Sequence, residues 1–233
     1  MWISDDEWDR IQSMVPIACV DFVPIQRAPD GQVRRVGLIR RRYPDGREVW
    51  CHLGGRIRYG ETVASALQRH CDTTIDVQPN DVQSIDVQPN DVQPNESDTA
   101  ESDAAQRNRD GSARSVRFGL RERPVLSEWF PADVHPGTSE PGTSEPGTPE
   151  PATSQPTTPF LYGVDPRKHS VSVAFTAEID DDVTVTAHDG RHSEALAFSW
   201  FAPEALDALD TWPGSRELIG RVLAAATIPQ GML

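Results

Sequence analysis

Cysteine is scarce in this chain: Cys19, Cys51 and Cys71 stand apart, with no Cys-x-x-Cys pair. Without paired thiols there is no motif for a thiol-ligated metal, and an odd number of cysteines suits a reducing compartment. Aromatic residues make up only 7% of the sequence. No basic cluster is interleaved with them, which argues against a nucleic-acid partner. Apolar runs are short as well, and none approaches the roughly 20 residues of a membrane span. The start, Met1-Trp2-Ile3-Ser4-Asp5-Asp6-Glu7-Trp8, lacks the basic and apolar regions of a secretory leader. The expectation is a cytoplasmic protein with no membrane partner.

Proline and acid are plentiful instead. The 233 residues include 20 prolines and carry a net charge of −14. Residues 76–95 read as four pentapeptides, three of them Asp-Val-Gln-Pro-Asn, and the chain stays polar to Ser115. From Gly137 a second array repeats Gly-Thr-Ser-Glu-Pro and close variants. Neither array has the apolar periodicity of a core, and five residues are too few for a solenoid unit. Both therefore read as flexible, partly polyproline-like insertions. Residues 76–115 hold nine acids against three arginines, and 132–159 hold four acids and no Arg or Lys. The acidity thus belongs to the insertions and not to a binding face. The expected organisation is one domain in three pieces, 1–75, 116–131 and 160–233, separated by disordered repeats at 76–115 and 132–159.

Within those pieces the periodicities alternate. Ser4 and Glu7 have capping-box spacing before a short amphipathic helix, Asp5 to Met14. Strands are expected at Ile17–Val23 and Val33–Ile39 across a Pro29-Asp30-Gly31 turn, then at Glu48–Leu53 after Pro44-Asp45-Gly46. Gly54-Gly55 reads as a loop and Thr62–Cys71 as a helix. Val125–Phe130, Ser170–Ala177 and Leu196–Phe201 read as later strands. Pro203-Glu204 opens a short helix, and Ser215 caps a last one with an apolar stripe of Leu218, Ile219, Val222 and Leu223.

The chemistry concentrates in Gly54-Gly55-Arg56-Ile57-Arg58-Tyr59-Gly60-Glu61, followed eight residues later by Arg69. This spacing resembles the first half of a Nudix box, degenerate here over residues 55–76, and the order of the surrounding elements is similar to a Nudix domain. The resemblance implies an α/β (α+β) fold, a Nudix-like α/β/α sandwich with a mixed β-sheet. The second half of the box departs from the motif. Where the family reads Arg-Glu-x-x-Glu-Glu, this chain has Arg69-His70-Cys71-Asp72-Thr73-Thr74. Gly54-Gly55-Arg56, Val20-Asp21-Phe22, Arg41 and Trp50 resemble GDP-mannose mannosyl hydrolases most among characterised Nudix enzymes. From Met1-Trp2-Ile3-Ser4 to Trp200-Phe201 the chain also resembles a Nudix-like family of unassigned function.

The resemblance implies a nucleotide sugar attacked at its anomeric carbon, with Mg²⁺ or Mn²⁺ as cofactor. It places Arg56 and Arg41 on the diphosphate, Asp21 near the sugar, His169 at the substrate, His192 as base, and Gly55 and Glu61 at the metal, with Asp72 as a shifted ligand. It also implies a possible homodimer. Each residue has a plainer alternative. Glu61 can serve as a helix-start dipole partner, and Asp72 as an exposed acid. His192 can be a solvated loop residue, and Arg167-Lys168-His169 either bind phosphate or decorate a sheet end. Asp21, an acid inside an apolar strand, must face solvent or meet a cation. His70 reads as a packing residue and Arg69 as the partner of Glu61. Two functions stay open: a hydrolase of a nucleoside diphosphate derivative, or a catalytically inactive module that binds a nucleotide-type ligand. A third treats the acidic repeats as a docking tether.

Overall fold

The structure, a computed structural model, describes residues 4–80, 115–120, 123–131, 160–165, 168–190 and 193–226. Helix α1 (Asp5–Gln12) starts at the expected capping box. The Glu7 amide donates to Ser4 Oγ, and the Ser4 amide donates back to the Glu7 carboxylate. The chain then enters β1 (Ile17–Arg27), longer than its sequence implied because it runs through Pro24. Proline is tolerated there because β1 changes partner at that point. Residues 19–22 pair with β4 (Leu53–Arg56), and residues 25–27 with β2 (Val33–Arg42). Ile17 N donates toward β9 (Ser170–Ile179), so by alternation the missing N–H of Pro24 faces the handover between β4 and β2.

Among the described residues one mixed sheet has the strand order β11-β2-β1-β9-β7-β8, with β7 Val125–Phe130, β8 Phe160–Val164 and β11 Ala197–Phe201. The β1–β9 and β7–β8 pairs are parallel and the others antiparallel. The short strands β3 (Glu48–Cys51) and β6 (Val116–Phe118) extend β2 and β9. Alternation along β1 and β2 divides the core. Val20, Phe22 and Ile39 face α2 (Val63–Thr74), where Ala66, Leu67 and Cys71 are buried. Val23, Ile25, Val36 and Leu38 face α3 (Ser215–Ala226), through Leu218, Ile219 and Val222. Each fully buried leucine contributes about 1.5–3 kcal/mol. The result is the α/β/α sandwich the sequence implied.

Four local expectations change. The strand foreseen at Glu48–Leu53 breaks at His52 into β3 and β4. Gly54-Gly55, read as a loop, belongs to β4. The first repeat is not part of a disordered insertion: Ile75–Pro79 forms β5 and pairs antiparallel with β10 (Val183–Ala187), setting Val77 opposite Val185. The remaining repeats, 81–114 and 132–159, lie outside the described residues. Ser215 begins α3, as foreseen, yet its hydroxyl meets His52 instead of capping the helix. The short helix at Pro203–Ala208 is 3₁₀.

Candidate functional site

A cleft opens where β1, β4 and β9 converge with the segment that leads into α3. Asp21, Arg41, His52, Asp165, Lys168 and the rings of Trp129 and Trp212 line it. Asp21 lies opposite Gly54 in the β1–β4 pair. Its carboxylate passes directly over the bare Gly54 Cα, where a side chain would collide with Oδ1 and with the Val20 carbonyl. Gly54 holds φ +143, a conformation that favours glycine.

Asp21 is only 8% exposed, so its charge requires partners. Ser172 Oγ donates to Oδ2 at 2.5 Å, and His52 Nε2 stands 3.7 Å from the same oxygen. Burial pushes the carboxyl up, but the His52 charge, hydrogen bonds from His52 and Ser172, and the Lys168 charge hold it below its ordinary value. His52 Nδ1 is 2.9 Å from Ser215 Oγ. Aspartate, histidine and serine thus form a chain, but not a hydrolytic triad, because Ser215 is fully buried and cannot reach a substrate. Cys19 lines the cleft too, 3.7 Å from Lys168 Nζ. Burial drives its thiol up to about 11 despite that lysine, which removes it as a nucleophile.

The box folds as a helix start clamped on itself. Arg69 Nε and Nη2 donate to the two oxygens of Glu61, each at 2.7 Å, while Arg69 Nη2 also donates to the Arg56 carbonyl at 2.9 Å. The Arg58 amide donates to Glu61 at 2.9 Å. Hydrogen bonding by Arg69, ahead of a smaller opposing effect of burial, draws Glu61 down to about 2. His70 Nε2 sits 3.0 Å from the Arg56 carbonyl, and burial lowers its pKa. The ring occupies the space above Gly55, where a Cβ would meet it at 2.7 Å.

The structure brings Asp21, Arg41 and Gly55 to the cleft. The other described residues among the sequence-derived candidates lie elsewhere. The Arg56 guanidinium lies 4.1 Å from the Trp8 ring centroid and is not among the cleft-lining groups. His169 turns to Glu128, 2.8 Å away, and stacks on Phe130. Glu61 is taken by Arg69. Asp72 accepts from Gln68 at 2.7 Å and lines a separate cavity with Asp76. His192 lies outside the described residues, but Glu194, two residues on, pairs with Arg41. Gly55, Glu61 and Asp72 therefore do not form a ligand set. Among the described residues no three His, Cys, Asp or Glu side chains converge as a metal site, so the described residues alone do not assemble a site for the Mg²⁺ or Mn²⁺ that the resemblance implied.

Sequence reasoning missed His52, Ser172, Ser215 and Asp165. Lys168 was visible only as part of a basic triplet, although it is the sole lysine of the chain. Among the described residues no helix is long and apolar enough to cross a membrane.

A domain of unknown function (DUF4916) matches residues 1–97. No curated protein matches the sequence. A solved structure of a possible asymmetric diadenosine tetraphosphate (Ap4A) hydrolase from Jonesia denitrificans is 21% identical. It aligns over 91% of this chain and 96% of its own, with a TM-score of 0.53. The NUDIX domain of Shewanella oneidensis NrtR, complexed with ADP ribose, is 10% identical over 97% of this chain and 100% of its own, with a TM-score of 0.45. A Nudix hydrolase from M. smegmatis, RenU, is 13% identical over 91% and 88%, with a TM-score of 0.44. With two helices sandwiching a mixed sheet and a box-spaced glutamate clamped by its arginine, the chain has the Nudix fold.

Proposed function

We propose that this chain is a Nudix-type hydrolase of a nucleoside diphosphate derivative, with a nucleotide sugar cleaved at the anomeric carbon as its substrate class. The observation that supports this reading is the charge layout of the cleft. A buried carboxylate, Asp21, lies at its floor, with Arg41 and Lys168 beside it and two indole rings on its walls. In this reading the two cations neutralise the diphosphate as it departs with the bonding pair of the anomeric C–O bond. Asp21 accepts a hydroxyl hydrogen bond from the sugar, and the indoles present apolar surface to its C–H face. Substitution at carbon places less charge on the protein than attack at phosphorus and suits a box without its carboxylates. His192 is the proposed base for the attacking water.

Product-resolved hydrolysis of GDP-mannose, ADP-ribose and Ap4A in ¹⁸O-labelled water tests the reading. The expected result is label in the free sugar and none in the diphosphate, with turnover lost in Asp21→Asn. Label in phosphate would overturn anomeric cleavage. A second reading, a catalytically inactive nucleotide-binding module, draws on the self-satisfied Glu61–Arg69 clamp. It predicts no turnover, together with ligand protection of Lys168 from an amine-reactive label.

A further inference from the structure

Asp21 and His52 are 31 positions apart in sequence, and Ser215 lies another 163 beyond His52. Three elements are shaped to bring them together. The extended segment breaks at His52 between β3 and β4, Gly54 leaves room for the carboxylate, and α3 begins with a buried serine. Neither serine that contacts Asp21 or His52 is free to react: Ser172 is 1% exposed and Ser215 is fully buried. Each serves one end of the chain of contacts.

The two oxygens of Asp21 are unequal. Oδ2 accepts from Ser172 and faces His52 Nε2. Oδ1 lies over Gly54, and no described residue donates to it. We propose that His52 is the positioning residue of Asp21: seated against Ser215, it and Ser172 fix Oδ2 and so aim Oδ1 at a hydroxyl donor of the bound ligand. In neutral His52 this geometry calls for the tautomer in which Nε2–H points to Asp21 and Nδ1 accepts from Ser215 Oγ–H. Other ionisable groups face the same cleft: Cys19 from β1, Arg41 from β2, Cys51 from β3, and Asp165 and Lys168 from the segment before β9. From α2, His70 lies within the field of Asp21. The identity of the ligand rests on the function proposed above, but the positioning role does not.

The deciding experiment is therefore done without ligand on the full chain. Carboxyl ¹³C spectra of Asp-labelled protein are titrated, with the Asp21 signal assigned from Asp21→Asn. In the wild type its midpoint should lie below that of an ordinary aspartate. In His52→Gln its midpoint should rise by about one pH unit or more. An unchanged midpoint in folded His52→Gln would overturn the proposal, since a merely packed imidazole would leave Ser172 and Lys168 to hold the charge as before. Ser215→Ala serves if the first variant does not fold. It keeps both titrating groups, so only loss of the fixed ring should appear, as averaged or doubled His52 ¹⁵N signals, and a single unchanged set would count against the proposal. Binding of ADP-ribose to the same variants then reads the function separately. A shifted Asp21 midpoint without any ADP-ribose binding would retain the positioning role and remove that ligand.

Discussion

Two carboxylates with lowered pKa lie beside the same glycine-rich strand, Asp21 across the β1–β4 pair and Glu61 just after it in sequence, and they differ in what is left for a ligand. Glu61 has both oxygens held by one guanidinium and a third donor from the Arg58 amide. Asp21 has one oxygen held by neighbours and the other placed over a glycine at a cleft floor. The first is a closed structural clamp that locks the loop before α2 to the middle of that helix. The second is a polar centre with capacity to spare. A low pKa alone does not mark a working residue, because hydrogen bonds that complete a structural pair lower it as effectively as those that prepare a site.

Breaking each centre should separate stability from binding. Gly54→Ala carries the largest expected effect, because the new Cβ meets Asp21 and the β1 backbone while the position keeps its positive φ. A loss of about 3 kcal/mol in urea unfolding, together with loss of ligand binding, is expected. Arg69→Ala should cost roughly 2–3 kcal/mol, since it strands Glu61 and frees the Arg56 carbonyl. The cleft stays intact in that variant, so labelling of Lys168 should keep the wild-type rate. A change in that rate would show that the two centres are coupled.

The acid limb sharpens the contrast. Glu61 is held at about 2, against an ordinary 4.5. A carboxyl depressed on folding stabilises the native state above its unfolded pKa, and that share is lost as pH falls toward the folded value. Urea midpoints should therefore decline between about pH 4.5 and pH 2 in the wild type and more gently in Glu61→Gln. Parallel curves would mean that the clamp contributes nothing. The smallest effect is expected for Trp8→Leu, which removes the face under the Arg56 guanidinium. About 0.5–1 kcal/mol of stability should be lost, with no change in ligand affinity.

Much of the clamp was legible in the sequence, because Glu61 and Arg69 are separated by a loop end and two helical turns, and a fixed local geometry joins them. Asp21 was legible as an anomaly, a charge in an apolar strand that had to find a cation or water. Its partner was not. Arg41 and Arg56 were the cations at hand in sequence, yet Arg56 lies on Trp8, and His52 faces the carboxylate. The repeat segment misled in the opposite sense. Asp-Val-Gln-Pro has the composition of a loop, but Ile75 and Val77 alternate, and β10, more than 100 residues later, supplies the ladder that makes them a strand.

The sequence by itself determined the capping box, the hairpin turns, the alternating strands and the clamp, all set by periodicity or by contacts within a few turns of chain. Only the tertiary structure decided which carboxylate keeps an oxygen toward the cleft. Parallel pairing of β1 with β9 delivers Ser172, the break between β3 and β4 delivers His52, and packing of α3 on the sheet delivers Ser215. Contacts over such separations depend on register and on which face each residue occupies, and neither is fixed until the strands have paired.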